Sequence, residues 1–101
     1  MLGKKSTDTK INTLIGAGAE LSGDFTLDGS ARIDGKIGGN VTVTGSLILG
    51  AGSVVTGEVQ AASVLIGGEV TGNITAPEKA ELTASAKVLG DIATKVIVID
   101  E

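Results

Sequence analysis

With 101 residues, the chain has room for one domain and no more. It contains no Cys, His, Trp or Tyr and a single Phe, which excludes thiol and Ser-His nucleophiles, the usual zinc sites, disulfides and any set of rings for stacking bases or sugars. Eight basic against twelve acidic residues leave a net charge of −4, so no nucleic-acid partner is expected.

The first segment, residues 1–10, is polar and shows neither strand nor helix periodicity, so it is expected to be a flexible tail. Lys4, Lys5 and Lys10 against Asp8 give it +2, whereas residues 11–101 carry five basic and eleven acidic residues, or −6. It lacks the long apolar centre of a signal peptide. No run in the chain approaches the roughly 20 apolar residues of a membrane-spanning helix, so the cytoplasm is the expected compartment. Met1 and Leu2 nevertheless put two large apolar side chains at the tip, beside Lys4 and Lys5. Burying each apolar residue contributes about 1.5–3 kcal/mol, and each Lys near an anionic bilayer about 1 kcal/mol. One such tail is a weak anchor; many on one polymer bind by avidity.

From residue 11 onward the composition turns to strands and corners. Val and Ile number ten each and Thr eleven, residues that are stiff at χ1 and suit a pleated surface, and there are 16 Gly. A tripeptide of Gly, a polar Asp/Asn/Glu and an apolar residue recurs five times. The copies are Gly23-Asp24-Phe25, Gly39-Asn40-Val41, Gly57-Glu58-Val59, Gly72-Asn73-Ile74 and Gly90-Asp91-Ile92, spaced 16, 18, 15 and 18 residues apart. Adjacent spacings sum to 34 and 33, and a second motif shows the same larger period. Ile15-Gly16-Ala17-Gly18 returns 34 residues later as Leu49-Gly50-Ala51-Gly52, and more faintly 33 further on as Leu82-Thr83-Ala84-Ser85.

Between the glycines, apolar residues alternate in short bursts: Phe25/Leu27, Val41/Val43, Leu47/Leu49, Val64/Ile66 and Val96/Val98. Such alternation marks strands with one buried face. No segment has the length or spacing of a crossover helix. Short strands, frequent corners and a fixed period point to a β-solenoid of about five coils, each stacked on the last at about 4.8 Å. A hairpin sandwich would want Asn-Gly or Asp-Gly turns in register; Asp28-Gly29 and Asp34-Gly35 occur but do not repeat with the tripeptide. Stacking would set Asp24, Asn40, Glu58, Asn73 and Asp91 in one outward ladder. There amides separate the carboxylates, as expected of a solvated face rather than a cation site.

The ends look bare. Val96, Ile97, Val98 and Ile99 form a strongly apolar strand followed only by Asp100 and Glu101, at the point where a new double coil would begin. Ile11, Leu14 and Ile15 open the first coil with equally little cover. A solenoid whose ends expose core and strand edges is expected to stack on other copies, which makes these seven residues the candidate polymer interface.

The ordered series of motifs resembles the bactofilin family. It runs from Met1-Leu2-Gly3-Lys4-Lys5 through Ile15-Gly16-Ala17-Gly18-Ala19-Glu20-Leu21, Ile33-Asp34-Gly35 and Gly57-Glu58-Val59 to Ala76-Pro77-Glu78-Lys79-Ala80 and Gly90-Asp91-Ile92. The resemblance implies a single all-β domain over residues 11–101, a right-handed parallel β-helix with a triangular core. It implies a non-enzymatic bacterial cytoskeletal protein that assembles end to end, without nucleotide or other cofactor, into filaments whose like ends meet. In many such proteins a short N-terminal segment, by position Met1, Leu2, Lys4 and Lys5 here, binds the cytoplasmic face of the membrane. The filament then acts as a scaffold for cell-wall enzymes and other partners that affect cell shape.

The competing reading is a hexapeptide-repeat acyltransferase, because Phe25, Ala31, Ile37, Val43, Leu49, Val55 and Ala61 fall at intervals of six. The double repeat of 33–34 rather than 36, and the lack of a His to act as base near neutral pH, count against it. Gly16-Ala17-Gly18 and Gly50-Ala51-Gly52 likewise fail as dinucleotide fingerprints, since Leu21 and Val55 stand where the third Gly belongs.

Overall fold

The computed structural model describes residues 13–99, which form sixteen short β-strands and no helix. Three strands make one coil. The first is β1 (Thr13–Ile15), β2 (Glu20–Ser22) and β3 (Phe25–Leu27); the second is β4 (Ala31–Ile33), β5 (Lys36–Gly38) and β6 (Val41–Val43). The third is β7 (Ser46–Leu49), β8 (Val54–Thr56) and β9 (Val59–Gln60); the fourth is β10 (Ser63–Ile66), β11 (Glu69–Thr71) and β12 (Ile74–Ala76). The fifth is β13 (Lys79–Leu82), β14 (Lys87–Leu89) and β15 (Ile92–Thr94), and β16 (Ile97–Ile99) begins a sixth.

Every strand pairs in parallel with its counterpart one coil away. Three sheets result: a six-stranded one in the order β1-β4-β7-β10-β13-β16 and two five-stranded ones, β14-β11-β8-β5-β2 and β15-β12-β9-β6-β3. The molecule is a parallel β-solenoid of five coils and one further strand, as the glycine tripeptides predict. Five rises of about 4.8 Å make the six-stranded sheet about 24 Å tall.

The alternation of long and short coils has a simple local cause. The corner between the first and second strands of a coil holds four residues in coils one, three and five (16–19, 50–53 and 83–86) but two in coils two and four (34–35 and 67–68). Each long corner closes as a turn, with Ala19, Ser53 and Ala86 N–H donating to Gly16, Gly50 and Thr83 O at 3.0–3.1 Å. The buried Ser53 hydroxyl also donates to Gly50 O at 2.7 Å, so the second long corner is bonded twice. The short corner of the fourth coil packs closely against it: a Cβ on Gly68 would lie 2.5 Å from Ser53 O and 2.6 Å from Gly50 O.

The core runs the length of the solenoid as stacked columns of like residues. Ile15, Ile33, Leu49, Ile66, Leu82 and Ile99 form one, joined in register strand to strand. Ile37, Val55 and Val70 form another, and Val41, Val59 and Ile74 a third; all six are at most 2% exposed. The seven residues at intervals of six also lie on the inner side. Register nevertheless joins Ala31 to Leu47 rather than Leu49, so six residues is not a third of this coil.

Candidate functional site

Glycine is required at the corner between the second and third strands. Gly23, Gly39, Gly57, Gly72 and Gly90 all have φ between 114° and 159°. From Gly39 onward each stacks so closely that a Cβ would run into the carbonyl oxygen of the glycine one coil below. The next residue turns its N–H down the stack, where the strand ladder offers no carbonyl. The polar side chain of the preceding coil supplies the acceptor: Asn40 N–H donates to Asp24 Oδ1 at 3.1 Å, Glu58 N–H to Asn40 Oδ1 at 3.0 Å and Asp91 N–H to Asn73 Oδ1 at 3.1 Å. The ladder is therefore more than a solvated face with spaced charges, because three of its members tie consecutive coils together. Glu58, one methylene longer, makes no such bond to Asn73 N–H. The sequence shows the shared polar character but not the acceptor role, which depends on the amide direction that the preceding glycine sets.

The two rims are where the columns run out. At the N-terminal rim, β1, β2 and β3 are edge strands among the described residues, and Ile15, Leu21, Phe25 and Leu27 form their last layer of inward side chains. Leu21 is 40% exposed, whereas its partner one coil deeper, Ile37, is 2%. At the other rim, β14, β15 and β16 are the edges, with Val88, Ile92, Ile97 and Ile99 in line with the core. Ile97 is 50% and Ile99 66% exposed, above Ala80 at 0% and the half-buried Leu82. Both rims are thus cross-sections of the core, with three strand edges and several large apolar groups uncovered among the described residues.

The candidate interface residues separate by side. Ile15, Ile97 and Ile99 lie in the inward columns. Leu14 and Val98 lie in the outward column of the six-stranded sheet, in register with Arg32 and Glu81. Val96 precedes β16, is 46% exposed, and accepts Ala80 N–H through its carbonyl at 2.8 Å. The expectation that Val96 and Val98 form the buried-face pair of the last strand is corrected: that face carries Ile97 and Ile99, because pairing sets them over Ala80 and Leu82. Ile11, Met1, Leu2, Lys4 and Lys5 lie outside the described residues.

A groove of about 480 Å³ runs along Thr42, Thr44, Gln60, Ala62, Thr75 and Pro77 without a charged side chain. No group of three or more acidic, His or Cys residues converges on a metal position among the described residues.

Comparison with known proteins agrees with this architecture. The family described as "Bactofilin: Polymer-forming cytoskeletal" matches residues 13–101. No curated protein matches significantly. The crystal structure of a point mutant of the bactofilin from Thermus thermophilus is similar at 39% identity and a TM-score of 0.83, covering 87% of this chain and 98% of that one. The chain belongs to the bactofilin family of polymer-forming cytoskeletal proteins.

Proposed function

We propose that this protein joins end to end through its two rims into a filament that needs neither nucleotide nor metal. The observation that carries this reading is the pair of open cross-sections. Each presents a set of strand edges, which can pair with the edges of another copy, around apolar side chains that gain by burial. Completing the burial of Leu21, Ile97 and Ile99 contributes roughly 1 kcal/mol each, taken as about half of a full side-chain burial. Strand pairing then supplies direction and register. The filament lies on the cytoplasmic face of the membrane through Met1, Leu2, Lys4 and Lys5, each tail weak and the polymer firmly held. There it serves as a scaffold for cell-wall enzymes or other partners that act on cell shape.

Ile97→Asp combined with Ile99→Asp tests the joint. The double variant should remain folded by circular dichroism yet form only monomers or short oligomers in negative-stain microscopy. Filaments of ordinary length from this variant contradict end-stacking at that rim.

A further inference from the structure

The outward column of the six-stranded sheet reads Leu14, Arg32, Ile48, Leu65, Glu81 and Val98, one residue per coil. Its order is complementary to itself when reversed. Apolar residues stand at both ends, a cation and an anion one step in from either end, and two apolar residues at the centre. Ile48 and Leu65 are partly exposed and protrude between small neighbours, Ser46 and Ser63 on one side and Gly50 and Gly67 on the other. Arg32 binds Asp34 at 3.0 Å and Glu81 lies 3.5 Å from Lys79, but both pairs remain open to solvent, with Arg32 45% and Glu81 38% exposed.

We infer that this face docks a second copy of the same chain, antiparallel to the first. A half-turn about an axis lying in the interface along the strands reverses the row order. Ile48 then faces Leu65 of the second copy, Arg32 faces its Glu81, and Leu14 faces its Val98, each pair occurring twice, as an isologous contact requires. The flanking charges extend the match, since Asp34, Arg32, the opposing Glu81 and its Lys79 alternate in sign. The opposite arrangement, with both copies pointing the same way, sets Arg32 against Arg32 and Glu81 against Glu81, and like-charge repulsion disfavours it.

Size decides how the contact operates. The face is about 24 Å tall and about 10 Å wide, from five strand spacings and three residues of strand. It therefore covers far less than the roughly 800 Å² per partner of a stable complex. Single subunits pair weakly through it. Subunits already joined at their rims repeat the contact along the filament and pair by avidity. The inference rests on the end-to-end reading for that multiplication and for nothing else.

Reversal of charge tests it. Arg32→Glu and Glu81→Arg should each weaken lateral pairing by about tenfold per contact, since two attractive pairs become repulsive. The double variant Arg32→Glu/Glu81→Arg, whose net charge is that of the natural chain, should restore it. Within one chain the two positions lie three coils, or about 14 Å, apart, so the restoration acts between copies. Filament width in electron microscopy is the readout: paired filaments for the natural and double-variant chains, single filaments for either single variant. Paired filaments from all four chains, single filaments from all four, or no recovery in the double variant overturn the proposal while leaving end-stacking intact. If no filaments form, end-stacking has failed instead. Sedimentation at high protein concentration then decides the lateral contact: a weak dimer lost in both single variants and regained in the double supports it, and its absence or indifference to the swap refutes it.

Discussion

Replacing Gly72 by Ala probes how closely the coils stack. The residue has φ of 145°, which L-residues rarely adopt, and its Cβ would collide with the backbone of Gly57 one coil below. The dihedral costs about 1–3 kcal/mol, and forcing a methyl into a packed backbone contact about 1–3 kcal/mol more. A loss of about 3–5 kcal/mol is a large share of the roughly 5–15 kcal/mol that holds a domain folded. At about 4–8 °C per kcal/mol for a domain of this size, the melting temperature should fall by about 12–40 °C. Two further glycines separate the causes. Gly18 has φ of 89° with nothing within 4 Å of a new Cβ, so Gly18→Ala should lose only the conformational part, about 1–2 kcal/mol. Gly16 has ordinary φ and open space, so Gly16→Ala should change stability by less than about 0.5 kcal/mol. Urea unfolding followed by far-ultraviolet circular dichroism gives all three values under one protocol. The reasoning fails if Gly72→Ala loses no more than Gly18→Ala, because stacking would then add nothing to the demand for glycine.

Glu58→Asn should stabilise the fold by about 0.5–1 kcal/mol, by giving Asn73 N–H the acceptor that Asp24, Asn40 and Asn73 supply elsewhere, with an unchanged dependence on urea; a neutral or negative effect contradicts the ladder's role. Ile66→Ala removes a side chain that is 0% exposed between Leu49 and Leu82, and should lose about 2–5 kcal/mol, measured the same way. Deleting residues 1–5 should leave filaments unchanged in electron microscopy but abolish flotation with anionic liposomes, and undiminished flotation would remove the membrane role from that segment. Filament formation should persist in EDTA and after exhaustive nucleotide removal, and dependence on either would contradict assembly by apolar burial and strand pairing.

How far each feature was legible follows from how local its cause is. The coil count was readable because the corner glycines answer to a backbone conformation and a close contact that only Gly tolerates. The 33–34 double repeat was readable as a number, and its cause, the four-residue corners 16–19, 50–53 and 83–86 against two-residue ones, emerges once strand bounds are known. The inward face of the last strand was not legible. In Val96-Ile97-Val98-Ile99 every residue is β-branched and apolar, so the period of two that marks a buried face elsewhere is absent. Only pairing with Ala80 and Leu82 decides it. The side on which Leu14 lies was not legible for a related reason: it follows from register alone, which sets it on the outer face one coil below Arg32. The outer column's self-complementarity is invisible in sequence, because its members are separated by 16 to 18 residues and meet only after the coils close.

Cryo-electron microscopy of the assembled natural chain interrogates the joining of rims most directly. Strands should lie across the filament with a spacing of about 4.8 Å along its axis, unbroken from one subunit into the next. Strands running along the axis, subunits touching only at their sides, or a monodisperse single species at high concentration would contradict it.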